Sequence, residues 1–376
     1  MTHTNKTIKI ISSAIFAIIL LYAICYSSLS IFTERKQNYS QGAESSEIAY
    51  SSALLGGFKG VIADILWLRL TDLQSEHKLL ELLELSELVT QLEPHIAEVW
   101  TFHAWNLSYN ISLLATNKED KWNWIKKGFE LLRDKGLEIN PNNPVIALEL
   151  AWIFQHKIGT KGADKNGNYY RTQWVYEISP YLGPNGEIPV ENSITSSELE
   201  QYFKLNVQIM QEIENQFGKL DWRTPYAYSL YWGWIAKKAN NKDTILRSTR
   251  MIYSSATKLA LDAGKIIGNP LEENWVYSTA PDFSLLEKTC TYIYDCMYNF
   301  DSPGIKHMFA GFTWTCCNYF ISQNKTKEAQ ALYTRLCNSF SGYDFPTLDD
   351  FIGNPAELEA FTYAIDGNFV TLIQQK

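Results

Sequence analysis

The sequence predicts an all-α chain of stacked helix pairs, a solenoid, with one N-terminal transmembrane helix. Three observations carry that expectation. Residues 10–31 run for 22 positions without a charge. Elsewhere apolar residues recur at steps of three and four, which lines them along one face of an α-helix. A proline also precedes a tryptophan by eleven residues three times, at Pro94–Trp105, Pro141–Trp152 and Pro303–Trp314, the first two copies 47 residues apart.

At about 1.5 Å per residue, a helix over Ile10–Ile31 crosses a hydrocarbon core of roughly 30 Å. Lys6 and Lys9 precede it, and Glu34, Arg35 and Lys36 follow. That balance favours an N-terminus inside and a bulk that is extracytoplasmic, on a single-pass protein of the cytoplasmic membrane. A cleaved signal peptide, cut near Ser28-Leu29-Ser30, is the competing reading, but the apolar run exceeds the roughly 7–15 residues of a signal core. Residues 1–36 are therefore set apart as the anchor, and 37–376 as the helical domain. That domain holds 29 basic against 40 acidic residues. A chain so acidic lacks the basic footprint that a phosphate backbone needs, so no nucleic-acid partner is expected.

The helices follow in order. Leu82, Leu85, Val89 and Leu92 make a stripe that stops before Pro94, and Val99, His103 and Leu107 begin another after it. Phe129, Leu132, Gly136 and Ile139 repeat the first stripe before Pro141, and Ile146, Leu150 and Phe154 repeat the second. Met308, Phe312 and Cys316 do so after Pro303. Each proline is expected to open the helix that follows, where its missing N–H costs nothing. Each tryptophan at the eleventh position lies about 200° around the helix from that stripe and is expected to wedge against the neighbouring pair. Residues 159–195, rich in Gly, Pro and Asn, read as an insertion with little regular structure. Helices resume over Ser196–Phe217, Thr224 caps a helix opened by Pro225, and a pair fills roughly 225–264. The loop "IGNPLEENWVYSTAPDF" leads to the last pairs, and Pro355 opens a terminal helix.

"NKTKEAQALYTRLCNSF" places Ala329, Tyr333 and Leu336 at a small-aromatic-apolar spacing that resembles the second helix of a tetratricopeptide repeat. "LLRDKGLEINPNNP" resembles that repeat's helix end and turn. The resemblance implies a tetratricopeptide-like right-handed superhelix of about six or seven helix pairs over residues 43–376, at a period of 47 rather than about 34. The runs "GGFKGVIADILWLR", "EVWTFHAWNLSYNIS", "LLRDKGLEINP", "FQHKIG" and "LDWRTPYAYSLYWG" are similar to an uncharacterised bacterial family of single-span, membrane-anchored helical-repeat proteins. That likeness supports the architecture and implies no activity.

The candidate sites are few. His103, Asn106 and Asn110 step by three and four, a polar line on an apolar helix. Amides in such a line hold a peptide main chain, offering donor and acceptor together, or satisfy a buried network. Trp100, Trp124 and Trp234 belong to an aromatic load that serves as a platform for side chains or sugar rings, or as interhelical packing. Trp124 and Trp234 are expected to be the exposed ones, each two residues from a second tryptophan. Asp221 and Arg223 flank Trp222 as a ligand trio or as a turn that pairs with itself. His95, His103 and His156 show no HExxH or three-ligand spacing, so no metal is expected. "GADKNGN" has its glycine at the fourth position from Asp164 and not the sixth of a calcium loop. "GGFKG" lacks the Lys-Ser/Thr of a phosphate loop. Five cysteines outside the span form neither a disulfide framework nor a CxxC pair, and read as small buried residues, one disulfide among them being left open.

No catalytic constellation and no cofactor motif stands out. The expected function is a membrane-tethered scaffold that binds a protein or peptide partner in its groove. The alternative is a glycan-binding or glycan-cleaving envelope protein, with Glu98, Glu149 or Asp221 as carboxylates.

Overall fold

The computed structural model describes residues 59–272, 274–300, 302–340, 344–356 and 358–359. The anchor expected over residues 1–36 lies outside them, as do most of "GGFKG" and most of the terminal helix expected from Pro355. Among the described residues no helix is long and apolar enough to cross a membrane. The fold is all-α apart from one two-residue strand pair, and its helices pack in pairs. The described residues divide into two compact units, one up to Val99 and one from Trp100 on.

In the first unit, α1 (Lys59–Ser75) and α2 (Leu79–Leu92) pack on each other across a tight turn in which His77 takes a φ of 57°. Ala63, Leu70, Leu73, Leu82 and Val89 are buried, so the stripe read from Leu82 to Val89 does face a core.

The second unit begins within α3 (Ala97–Trp105), which widens to a π turn at Asn106–Ile111 and closes at Ser112–Leu114. Next, α4 (Lys118–Glu130) widens at Leu131–Gly136 and closes at Leu137–Ile139. Then α5 (Pro144–Trp152) widens at Ile153–Gly159. Helices α6 (Gly167–Ile178), α7 (Ile194–Phe203), α8 (Val207–Phe217), α9 (Pro225–Ala236) and α10 (Lys242–Lys258) follow, the last running into a π turn at Leu259–Ala263. Strands β1 (Lys265–Ile266) and β2 (Thr279–Ala280) pair antiparallel. The rest is α11 (Leu286–Asn299), α12 (Pro303–Ser322), α13 (Thr326–Ser339) and the short α14 (Leu348–Phe351).

Local chemistry accounts for the starts. Asn117, Asn143, Ser193, Asn206, Thr224 and Asn241 each accept a hydrogen bond from a first-turn N–H, satisfying donors that a helix cannot satisfy itself. The expected role of the prolines needs correction. Pro303 does open α12, but Pro94 and Pro141 sit in the turn three residues before α3 and α5. Asn142 takes a φ of 57° there, Asn143 caps, and Pro144 is the proline in the first turn. A left-handed residue is needed to reverse the chain, and Asn tolerates it better than most.

Residues 159–195 also differ from expectation, because α6 forms inside them. Tyr170, Trp174 and Ile178 recur at four-residue steps and are fully buried, so tertiary burial overrides a glycine-rich flank. Phe154, Trp174 and Tyr228 meet at ring separations of 4.3–4.7 Å, with Phe129 5.0 Å from Phe154. The second unit's core thus draws on α4, α5, α6 and α9. Helix α9 lies directly against α5 on one side and α10 on the other, with α6 to α8 intervening in the chain. Small residues allow that approach: Ser229 Oγ donates to the Ala151 carbonyl at 2.8 Å, and Ser255 Oγ to Ser229 Oγ at 3.0 Å.

Candidate functional site

A cleft of about 580 Å³ opens between α3, α5 and α10. Thr101 and Trp105 reach it from α3, Glu149 and Trp152 from α5, and Arg247 and Arg250 from α10. Gln155 braces its floor, donating through Nε2 to Ser255 Oγ at 2.9 Å. Positions 47 apart stand side by side here. Trp105 stacks on Tyr109 at 5.5 Å, Trp152 on His156 at 4.8 Å and 4° between planes, and Tyr109 meets His156 at 5.9 Å. The Tyr109 hydroxyl lies 3.4 Å from His156 Nδ1. Four rings from two helices therefore form one continuous aromatic edge.

The wedge role expected of the tryptophans is corrected here. Trp314 does reach a neighbouring helix, its N–H donating to the Phe351 carbonyl at 2.9 Å. Trp105 is half-buried, and Trp152 is 40% exposed. The close contact of α5 with α9 is made by Ala151 and Ser229, so the tryptophan is left to face the cleft.

The electrostatics of the cleft are unusual for an acidic chain. Glu149 Oε1 is shut away from solvent with no hydrogen-bond partner among the described residues. Burial pushes its carboxyl up to about 7, and the positive charge of Arg247 only partly opposes this. Tyr109 is pushed well above its ordinary value by burial and by the nearby Glu149. Arg247 and Arg250, one turn apart on α10, are exposed, and neither forms an ion pair among the described residues. The cleft thus offers aromatic faces, two available guanidinium groups and one carboxyl able to carry a proton near neutrality.

No family model, curated protein or solved structure matches this chain. Function is therefore read from the geometry.

The residues singled out from sequence do not assemble into one site. His103 is 5% exposed, and burial, with Lys135 nearby, lowers its pKa to about 4. Asn106 is fully buried and donates to the Phe102 carbonyl at 3.0 Å, while Asn110 donates to Asn106 Oδ1 at 2.6 Å. The two asparagines therefore bond within their own helix, at a π turn, while His103 Nδ1 is buried with no hydrogen-bond partner among the described residues. Trp100 is buried. Trp124 is half-buried beneath Lys127 Nζ at 4.3 Å. Trp234 is half-buried too, donating to Glu212 at 3.4 Å with Lys237 over its ring at 5.6 Å. Asp221 and Arg223 are buried and paired through two hydrogen bonds of 2.6 and 2.8 Å. Arg223 also donates to the Pro184 carbonyl, and Asp221 accepts from the Ile266 N–H.

The remaining motifs have structural partners. Asp164 of "GADKNGN" pairs with the buried Lys157 at 3.3 Å and accepts from Tyr170 and the Asn166 N–H. Cys290, Cys296, Cys316 and Cys317 are buried free thiols, and Cys337 is half-buried and free. Among the described residues no group of three or more His, Cys, Asp or Glu could hold a metal ion.

Sequence reasoning did not single out Arg247 or Arg250, because two arginines on an amphipathic helix look like any solvated face. A usable signal did exist for the rings. The 47-residue offset that relates Trp105 to Trp152 also relates Tyr109 to His156.

Proposed function

We propose that the protein is a membrane-tethered binding scaffold, tetratricopeptide-like in build, whose cleft between α3, α5 and α10 holds an extended segment of a partner protein outside the cytoplasmic membrane. What carries the reading is the combination of Trp105 and Trp152 with Arg247 and Arg250, which form no ion pair among the described residues. Indole faces give apolar contact area at low entropic cost, and guanidinium groups fix orientation through charge and hydrogen bonds. The apolar run at residues 10–31 supports the tether. The packed helix pairs, and the matched switch to π geometry after Trp105 and Trp152, support the repeat architecture.

A glycan reading has one observation in its favour, a carboxyl raised to about 7 beside two tryptophans. Glycoside hydrolysis needs two carboxyl groups about 5–10 Å apart. Glu149 is the single carboxylate among the residues lining this cleft. Chemistry of that kind would therefore need a group from elsewhere.

Photocrosslinking discriminates these readings. With a photoreactive amino acid at Thr101, illumination of intact membranes is expected to give a discrete polypeptide adduct. The adduct should vanish on Trp152→Ala and persist on Trp124→Ala. An adduct of glycan alone, or one indifferent to Trp152, overturns the scaffold reading.

A further inference from the structure

The cleft carries a combination that simple apolar docking does not require. Glu149 lines it with a half-buried carboxyl, one oxygen of which is shut away without a hydrogen-bond partner among the described residues, while the exposed Arg247 and Arg250 of α10 form no ion pair among those residues. A buried carboxylate without a partner is costly, and a buried carboxylic acid without an acceptor also leaves a donor unused. An incoming carboxylate neutralises the arginines and accepts a hydrogen from the Glu149 oxygen that is not shut away, which removes the reason for the acid to ionise.

We propose that the cleft takes up a carboxylate of the partner segment together with one proton, Arg247 and Arg250 holding that carboxylate while Glu149, protonated, donates its hydrogen to it. The inference rests on the scaffold reading and names the chemistry of the segment: an acidic side chain or chain end next to an apolar or aromatic residue that lies on Trp105 and Trp152. Charge complementarity is the argument. Two arginines without an ion pair among the described residues, in a chain of net charge −8, are positioned for an anion brought by something else.

Proton balance is simple. Glu149 is protonated in the complex and partly ionised when free, so binding takes up a proton from solvent and no covalent bond changes. Arg247 from α10 and Tyr109 from α3 act electrostatically with Glu149, Arg250 lines the same cleft, and His156 lies two turns along α5. The α4 turn at Leu131–Gly136 that also packs on α5 carries Arg133, Asp134 and Lys135, none of which lines the cleft. Residues of α9, which packs against both α5 and α10, do not line the cleft. When Glu149 ionises, its charge competes for Arg247 and repels the ligand. With a carboxyl at about 7, the protonated fraction falls about tenfold between pH 6 and pH 8, and affinity should fall by the same factor.

The test uses a random peptide library panned against the full-length detergent-purified protein at pH 6, followed by affinity measurements on the enriched synthetic peptides. Enriched peptides are expected to contain Asp, Glu or a free C-terminal carboxylate, and to bind about tenfold more weakly at pH 8. Calorimetry at pH 7 in buffers of different ionisation enthalpy should read an uptake of about half a proton per peptide. Glu149→Gln should abolish the pH dependence, His156→Gln should keep it, and Arg247→Gln with Arg250→Gln should weaken binding at both pH values. Circular dichroism confirms that each variant is folded. Peptides that bind in a Trp152-dependent way but lack a carboxylate overturn this inference and leave the scaffold reading standing. The same holds if their pH dependence survives Glu149→Gln or disappears with His156→Gln. Peptides indifferent to Trp152→Ala, or no enrichment at all, overturn the scaffold reading itself.

Discussion

Glu149 and His103 are both displaced from their ordinary protonation behaviour by burial, in opposite senses of charge. The carboxyl of Glu149 is raised to about 7, so the folded state holds its proton more tightly than the unfolded chain does. Stability from this group is full below the ordinary carboxylate value near 4.3, is lost as pH rises to about 7, and is flat above. Glu149→Gln, which cannot ionise, should therefore be the more stable protein at pH 8 by up to about 3 kcal/mol in urea unfolding, the gap shrinking to about 1 kcal/mol at pH 5. A gap that widens on acidification would contradict the raised value. His103 is lowered to about 4, so its imidazole is neutral at pH 7, and its stabilising effect is lost as pH falls from about 6.5 toward 4. In an NMR titration its ring signals should stay in the neutral form down to about pH 5. Neither shift is legible from the sequence, because both depend on which helix happens to cover the residue.

At the scale of elements, the π turns are what periodicity alone does not reveal. Widening a helix frees carbonyls that side chains must then satisfy. Asn106 donates to the Phe102 carbonyl, Ser112 to that of Ser108, and Thr160 to that of Gln155. Arg171 closes the end of α5, its Nη1 within 3.2–3.3 Å of the carbonyls of Ile158, Gly159 and Thr160. Removing that guanidinium leaves buried acceptors unmet, so Arg171→Met should cost about 2–4 kcal/mol in chemical denaturation. Gly128 marks where α4 touches α3. A Cβ there would sit 2.1 Å from Ser108 Oγ and 2.8 Å from the Ala104 carbonyl. Gly128→Ala should therefore cost about 1–3 kcal/mol, read as a lower urea midpoint, and pairing it with Ser108→Ala should recover only part, because the backbone contact remains. The helix stripes at Leu82–Val89, Ile146–Phe154 and Phe312–Cys316 were readable since burial of one face imposes their period. The helix α6 was not, because its glycine-rich surroundings mask three buried aromatic and aliphatic residues.

At the scale of the molecule, a buried ion pair joins distant parts of the second unit. Asp221 and Arg223 bond to each other, to the Pro184 carbonyl and to the Ile266 N–H, linking the loop before α7, the turn before α9 and strand β1. Breaking one side strands a buried charge, so Arg223→Leu should destabilise by about 3–5 kcal/mol, while the double change with Asp221→Leu should restore part of the loss. If both singles were near neutral in thermal melts, the pair would not be the tie that its geometry indicates. By itself the sequence determined the all-α class, the faces of most helices and several of their caps, because helical period and cap chemistry are local. It also determined the acidic charge balance and the apolar run at residues 10–31. Only tertiary structure decided that α9 lies against α5 and that Asn106 and Asn110 bond inward. The same folding brought Trp105, Trp152, Glu149, Arg247 and Arg250 around one cleft. The physical reason is range: these residues lie up to 145 positions apart, and which of them meet is fixed by how small and large side chains let whole helices approach, a property that no window of the sequence contains.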